Sequence, residues 1–110
     1  MNLSLPEYDQ IPNVGLYLEQ VTKYVNEYLE PMGCAPLTGS MISNYVKKAL
    51  LRNPIKKQYY ADHIAYLFFV AIAKNMLSME DIGLFIKMQQ NSYDAKTAYN
   101  YLCAEMENII

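Results

Sequence analysis

The ten residues Ile64-Ala65-Tyr66-Leu67-Phe68-Phe69-Val70-Ala71-Ile72-Ala73 limit most strongly what this chain can become. Ile64, Leu67, Phe68, Ala71 and Ile72 fall at helical spacing on one stripe, and Tyr66, Phe69, Val70 and Ala73 make the other faces apolar too. Such a helix persists in water only where neighbouring elements cover it on several sides, so it belongs at the centre of a core. Asp62 and Lys74 bracket the run, and the predicted helix extends from near Asp62 to about Asn75. The run is about half the ~20 residues that a bilayer-spanning helix needs, so no membrane span is expected.

The rest of the 110 residues must supply that cover, and they are enough for one core and one domain, 1–110. Residues 1–13 carry Pro6 and Pro12 without a helical period, and read as an arm packed through Leu3, Leu5, Tyr8 and Ile11. Residues 14–60 hold a first helix, a second helix and a short extended segment. Asn13 is the expected cap of the first helix, from about Val14 to Glu30, with Leu18, Val21, Val25, Tyr28 and Leu29 inward. Pro31 and Gly33 end it. Residues 61–110 hold the central helix and two more. Ser78 with Asp81 three residues on is a capping-box pattern that opens a helix to about Gln90, with Ile82, Phe85 and Ile86 inward. The last helix, about Asp94 to Asn108, carries Ala95, Ala98, Tyr99, Leu102, Met106 and Ile109 on one stripe, extended by Tyr93, Tyr101 and Ile110. It either packs on the core or pairs with its twin in a homodimer. The expected class is all-α, about five helices with a rudimentary extended wing.

The second helix, about 38–51, carries the functional signal. Thr38 is placed to cap it, and Ile42, Tyr45, Val46, Ala49 and Leu50 form the inward stripe. Ser40, Ser43, Asn44, Lys47 and Lys48 form the outward one, which is small, polar or basic and contains no carboxylate. A helix with that face fits a DNA major groove, where short polar side chains reach base edges and lysines meet phosphates. A solvated amphipathic helix has the same pattern, so the charge distribution has to decide. The chain has 9 Lys and Arg against 11 Asp and Glu, a formal charge of −2 that speaks against a general polyanion binder. Yet residues 40–60 hold Lys47, Lys48, Arg52, Lys56 and Lys57 and no acid, a local +5 between flanks of −4 and −3. That is the electrostatic footprint of a small reader of nucleic acid. A docking site for an acidic protein would look the same. Asn53-Pro54 breaks the helix, and Ile55 to Tyr60 then reads as extended, placing Lys56 and Lys57 on a duplex backbone beside the helix or on an ordinary loop.

Other chemistry is poorly supplied. Four glycines include no phosphate-cradling loop, and no Ser/His/Asp, Cys/His or paired-carboxylate arrangement is legible, so a non-enzyme without cofactor is expected. His63, the single histidine, has no partners at metal-ligand spacing, and no metal is expected. Cys34 and Cys103 are far apart, consistent with isolated thiols in a reducing cytoplasm as well as with one disulfide. Glu7 and Asp9 are not the start of a signal peptide, so a cytoplasmic location is expected.

The helix order resembles the DNA-binding domain of the MerR family of transcription regulators. Thr38, Ile42, Tyr45, Ala49-Leu50-Leu51 and Pro54 stand where that pattern has its cap, aliphatic residue, tyrosine, Gly-Leu-Leu and proline. Leu77-Ser78-Met79-Glu80-Asp81-Ile82 resembles its later short-helix opening. Ser43-Asn44 departs from the usual Arg-Tyr, the wing is shorter, and the last helix lacks the length of the dimerising coiled coil. A nearer resemblance is to a bacterial domain-of-unknown-function family with a MerR-like winged helix-turn-helix core, over about residues 7–90. Its motif is matched by Leu37-Thr38, Met41-Ile42, Asn44-Tyr45-Val46-Lys47, then Pro54, Lys57, Tyr59 and His63-Ile64, with Ile11-Pro12-Asn13-Val14-Gly15-Leu16 upstream. The resemblance implies the fold more than an activity.

Together these readings lead to the expectation of a sequence-specific double-stranded DNA-binding transcriptional regulator. Ser40, Ser43 and Asn44 are assigned to bases, and Lys47, Lys48, Arg52, Lys56 and Lys57 to phosphates. Tyr59 joins them as the aromatic that closes the wing. The alternative is a protein-protein interaction module that keeps the scaffold without DNA binding, using the basic face or the Tyr- and Met-rich helices. A small-molecule sensor with an aromatic pocket between the last helices has the least room in this length.

Overall fold

The computed structural model describes residues 5–109, with side chains to residue 105. Its elements are a 3-10 turn at Tyr8–Gln10, then α1 (Leu18–Leu29), α2 (Gly39–Lys47), α3 (Ala61–Ala73), α4 (Met79–Ser92) and α5 (Ala95–Ile109). Among the described residues, extended pairing is confined to two isolated antiparallel bridges, Leu16 with Tyr59 and Ile55 with Gln58. The architecture is all-helical. Leu3 and Ile110, and the side chains of Met106 and Ile109, lie outside the described residues.

The all-round apolar α3 is the axis, and α1 and α5 both pack along it. Ile64, Leu67, Phe68 and Ala71 are fully buried. Phe68 stands where the three helices meet: its ring lies edge-on to Tyr28 of α1 at 5.8 Å, 6.4 Å from Tyr24 and 6.2 Å from Tyr99 of α5. Rings at these separations and tilts set the positive edge of one against the negative face of the next, beyond the gain from burial. Truncating Phe68 to alanine at such a junction removes about 3–5 kcal/mol. The last helix therefore packs on the core through Tyr99, whose hydroxyl donates to the Pro6 carbonyl at 2.7 Å and ties the N-terminal arm to α5. Leu5, Tyr8 and Ile11 of the arm pack as the apolar spacing requires.

Several expectations are corrected. The first helix begins at Leu18, not near Val14, because Gly15 takes φ +88° and Leu16 pairs with Tyr59. A Cβ at Gly15 would also crowd the flexible Gln58 side chain at 3.0 Å, but the positive φ is what favours glycine there. Val14 is left 79 % exposed. Asn13 does not cap α1; its Oδ1 accepts from the Ala61 amide and serves the first turn of α3. Gln20 turns back to accept from the Tyr17 amide at α1 instead.

The second helix stops at Lys47 rather than running to Leu51. Ala49 adopts φ +61°, its amide donates to Val46 O, and the Leu50 amide donates to Tyr45 O, each at 3.0 Å. This is a Schellman ending with alanine in the left-handed position that normally takes glycine. Ala49 is consequently exposed, while Leu50 and Leu51 turn into the core. On α4, Ile82 and Ile86 are buried as expected, but Phe85 is 51 % exposed. The Thr38 and Ser78 caps form as expected, each hydroxyl accepting an amide three residues on at 3.1 Å.

Candidate nucleic-acid interface

The basic segment folds as α2, a reversal at Lys48-Ala49, and a hairpin turn. Ile55 and Gln58 exchange both backbone hydrogen bonds at 2.9 Å, which leaves Lys56 and Lys57 as the two central residues. Their φ values, +51° and +68°, are both left-handed, as a type I′ turn demands. Lysine is a poor choice there, since each L-residue in that region costs about 1–2 kcal/mol relative to a right-handed one. The turn places two exposed cations at its tip.

The hairpin is anchored at both ends. Leu16 and Tyr59 exchange backbone hydrogen bonds at 2.9 and 2.7 Å. His63, buried in the first turn of α3, accepts from the Tyr60 amide through Nδ1 at 2.9 Å and donates from Nε2 to the Asn53 carbonyl at 3.1 Å. One imidazole thus fastens the chain on either side of the hairpin, and only the neutral ring can both accept and donate in this way. Burial pushes its pKa below the ordinary histidine value, and the Arg52 cation adds to that, against the Asn53 carbonyl and Asp62, which favour the charged ring. These bonds give His63 a structural role.

Of the residues assigned to DNA, Ser40, Asn44, Lys47, Lys48, Arg52, Lys56 and Lys57 are exposed, and Ser43 is half-buried. Tyr59 is a correction. Only 5 % of it is exposed, and its ring lies edge-on to His63 in the core, so its side chain is not part of this surface. Arg52 is partly spoken for, because its Nη2 donates to Asp62 Oδ2 at 3.2 Å, and the Tyr8 hydroxyl donates to the other Asp62 oxygen. Burial, with the Asp62 carboxylate beside it, pushes the Tyr8 phenol up to about 12. Among the described residues no carboxylate pairs with Lys47, Lys48, Lys56 or Lys57.

The residue that holds α2 in place was not singled out from sequence. Asn26 of α1 accepts from the Leu37 amide and donates to the Leu37 carbonyl, both at 2.8 Å, just before the Thr38 cap. An asparagine inside a good helical pattern, next to the buried Val25, is the available signal: its side chain prefers backbone partners outside the helix. Gly39 completes the junction, since a Cβ there would meet Leu18 at 3.3 Å.

No helix among the described residues is long and apolar enough to cross a membrane. Among the same residues, no three His, Cys, Asp or Glu side chains are grouped to hold a metal ion.

The molecule is thus all-helical, with exposed lysines on a helix and on a hairpin that no carboxylate pairs with among the described residues. It belongs to the family described as Domain of unknown function (DUF1836), whose model matches residues 6–102. No curated protein and no solved structure matches the chain.

Proposed function

We propose that this chain is a sequence-specific double-stranded DNA-binding transcriptional regulator built on a MerR-like winged helix-turn-helix. In this reading α2 enters the major groove and the Lys56-Lys57 hairpin is the wing on the adjacent backbone. The observation that carries it is the pair of exposed lysine sets, Lys47-Lys48 and Lys56-Lys57, on successive elements with no carboxylate partner among the described residues. Ser40, Ser43 and Asn44 then face base edges, with Asn44 suited to bidentate contact with an adenine. Arg52 shares its charge with Asp62 and contributes less to the phosphate count than the four lysines.

Four phosphate contacts give a log K against log salt slope of about −4, from roughly −0.9 per contact. The test is fluorescence anisotropy of mixed genomic duplexes across a salt series, with a Lys47→Glu/Lys48→Glu variant shown to be folded by circular dichroism. Salt-steep binding that the variant lacks supports the reading. A folded wild-type chain that ignores duplex DNA at low salt refutes it and turns attention to a protein partner.

A further inference from the structure

Three helices enclose a recess that the DNA reading does not use. It has a volume of about 300 Å³ and lies between α3, α4 and α5. Room exists because Ala65, Ala95 and Ala98 contribute only methyl groups to its wall. Phe69, Phe85 and Tyr101 supply aromatic walls, and the last two are 51 % and 68 % exposed, leaving much ring surface uncovered. Two polar side chains of the lining, Tyr66 and Gln89, are already engaged with each other. The Tyr66 hydroxyl donates to Gln89 Oε1 at 2.7 Å, and Gln89 Nε2 donates to the Tyr93 carbonyl at 2.6 Å. Most of the wall is therefore apolar, and among the described residues the charged one lining it is Glu105.

We infer that this recess binds a planar aromatic molecule of about two fused rings, neutral or cationic. Size follows from comparison: a dry apolar cavity of about 150 Å³ takes one benzene-sized ring, so this one has room for about two. Aromatic walls favour stacking and edge contacts over a flexible alkyl chain. Charge follows from Glu105, a carboxylate with no lysine or arginine beside it among the described lining residues, which attracts an ammonium substituent and repels an acid. None of the residues assigned to DNA lines the recess, and either assignment survives the failure of the other.

The full chain is titrated with the neutral naphthalene dye prodan, reading its blue shift, and the expected Kd is on the order of 10–100 μM for a ligand of this size. Ala98→Phe, which fills the recess, and Phe85→Ala, which removes a half-exposed wall, should each weaken binding by about tenfold while helicity is retained. Competition supplies the charge arm. Naphthalen-2-ylmethylammonium should displace the dye about threefold better than 2-naphthoate, as expected of one exposed ionic contact, and Glu105→Gln should remove the difference. Saturable binding with these losses supports the site. No saturable binding to folded wild type, equal binding in both recess variants, or a preference for 2-naphthoate overturns it. So does binding that falls as the chain dimerises in sedimentation, which would assign the recess to a second copy.

Discussion

Asn26 grips the backbone of Leu37 through both ends of its side-chain amide, accepting from the amide and donating to the carbonyl at 2.8 Å each. The two bonds fix where α2 starts relative to α1, and so fix the direction in which the Ser40, Asn44 and Lys47 face points. Asn26→Ala leaves a part-buried donor and a part-buried acceptor without partners, at a cost of about 2–3 kcal/mol. Asn26→Asp keeps an acceptor for the Leu37 amide but sets its second oxygen against the Leu37 carbonyl, and should lose a similar amount at neutral pH. Urea unfolding followed by circular dichroism measures both. A loss for Ala but none for Asp would mean that only the amide bond matters.

Ala49 offers the opposite case, a position where substitution should stabilise. At φ +61° and exposed, its methyl group meets the left-handed penalty with little burial to repay it. Ala49→Gly relieves about 1–2 kcal/mol of that strain. Glycine gives back about 0.4–1 kcal/mol through the freer unfolded chain. A net gain of up to about 1.6 kcal/mol is expected, seen as a higher thermal midpoint with unchanged helicity. A fall in the midpoint would show that the Schellman ending is not the native one.

The hairpin separates shape from charge. Lys56→Asn with Lys57→Gly installs the pair that a type I′ turn prefers, so the double variant should be at least as stable as wild type. It also removes both cations. On the DNA reading the salt slope should then flatten by about 2, from roughly −0.9 per lost phosphate contact. Anisotropy against the same duplexes reads the slope, and thermal unfolding reads the shape. A stabler chain with an unaltered slope would remove these two lysines from the interface.

Sequence made the local signals legible and left the distant ones hidden. Thr38 and Ser78 cap as their own neighbourhoods dictate, and the α3 run announces the centre of the core because no solvated arrangement suits it. The start of α1 is hidden from local sequence because Asn13 has a helix-capping side chain but uses it on Ala61, 48 residues away. Leu16 pairing with Tyr59 is equally non-local, and it delays the helix and buries the tyrosine that sequence had set beside DNA. Phe85 shares the spacing of Ile82 and Ile86, yet it faces a recess whose existence depends on three alanines from other turns and helices. Periodicity records which residues share a face, not whether the neighbouring helix fills it.

His63 ties these distant contacts to a measurable pH response. Its neutral ring joins Tyr60 to Asn53, and a protonated ring, with two donors and no acceptor, cannot keep the Tyr60 bond. Because its folded pKa lies below the ordinary 6.5, the unfolded chain takes up a proton that the folded chain refuses as pH falls through that value. Stability contributed by the neutral ring is thus fully present above about 6.5, and it declines below that point until the folded form protonates as well. His63 is the only histidine, so little else in the side-chain inventory titrates in that window. The urea midpoint of the wild type should drop between pH 7.5 and pH 5.5 (about one unit either side of the free value). His63→Leu should start lower, having lost both bonds, and change far less over the same range. A wild-type midpoint indifferent to pH there would show that the ring is not held neutral, and the fastening of the hairpin to α3 would need another cause.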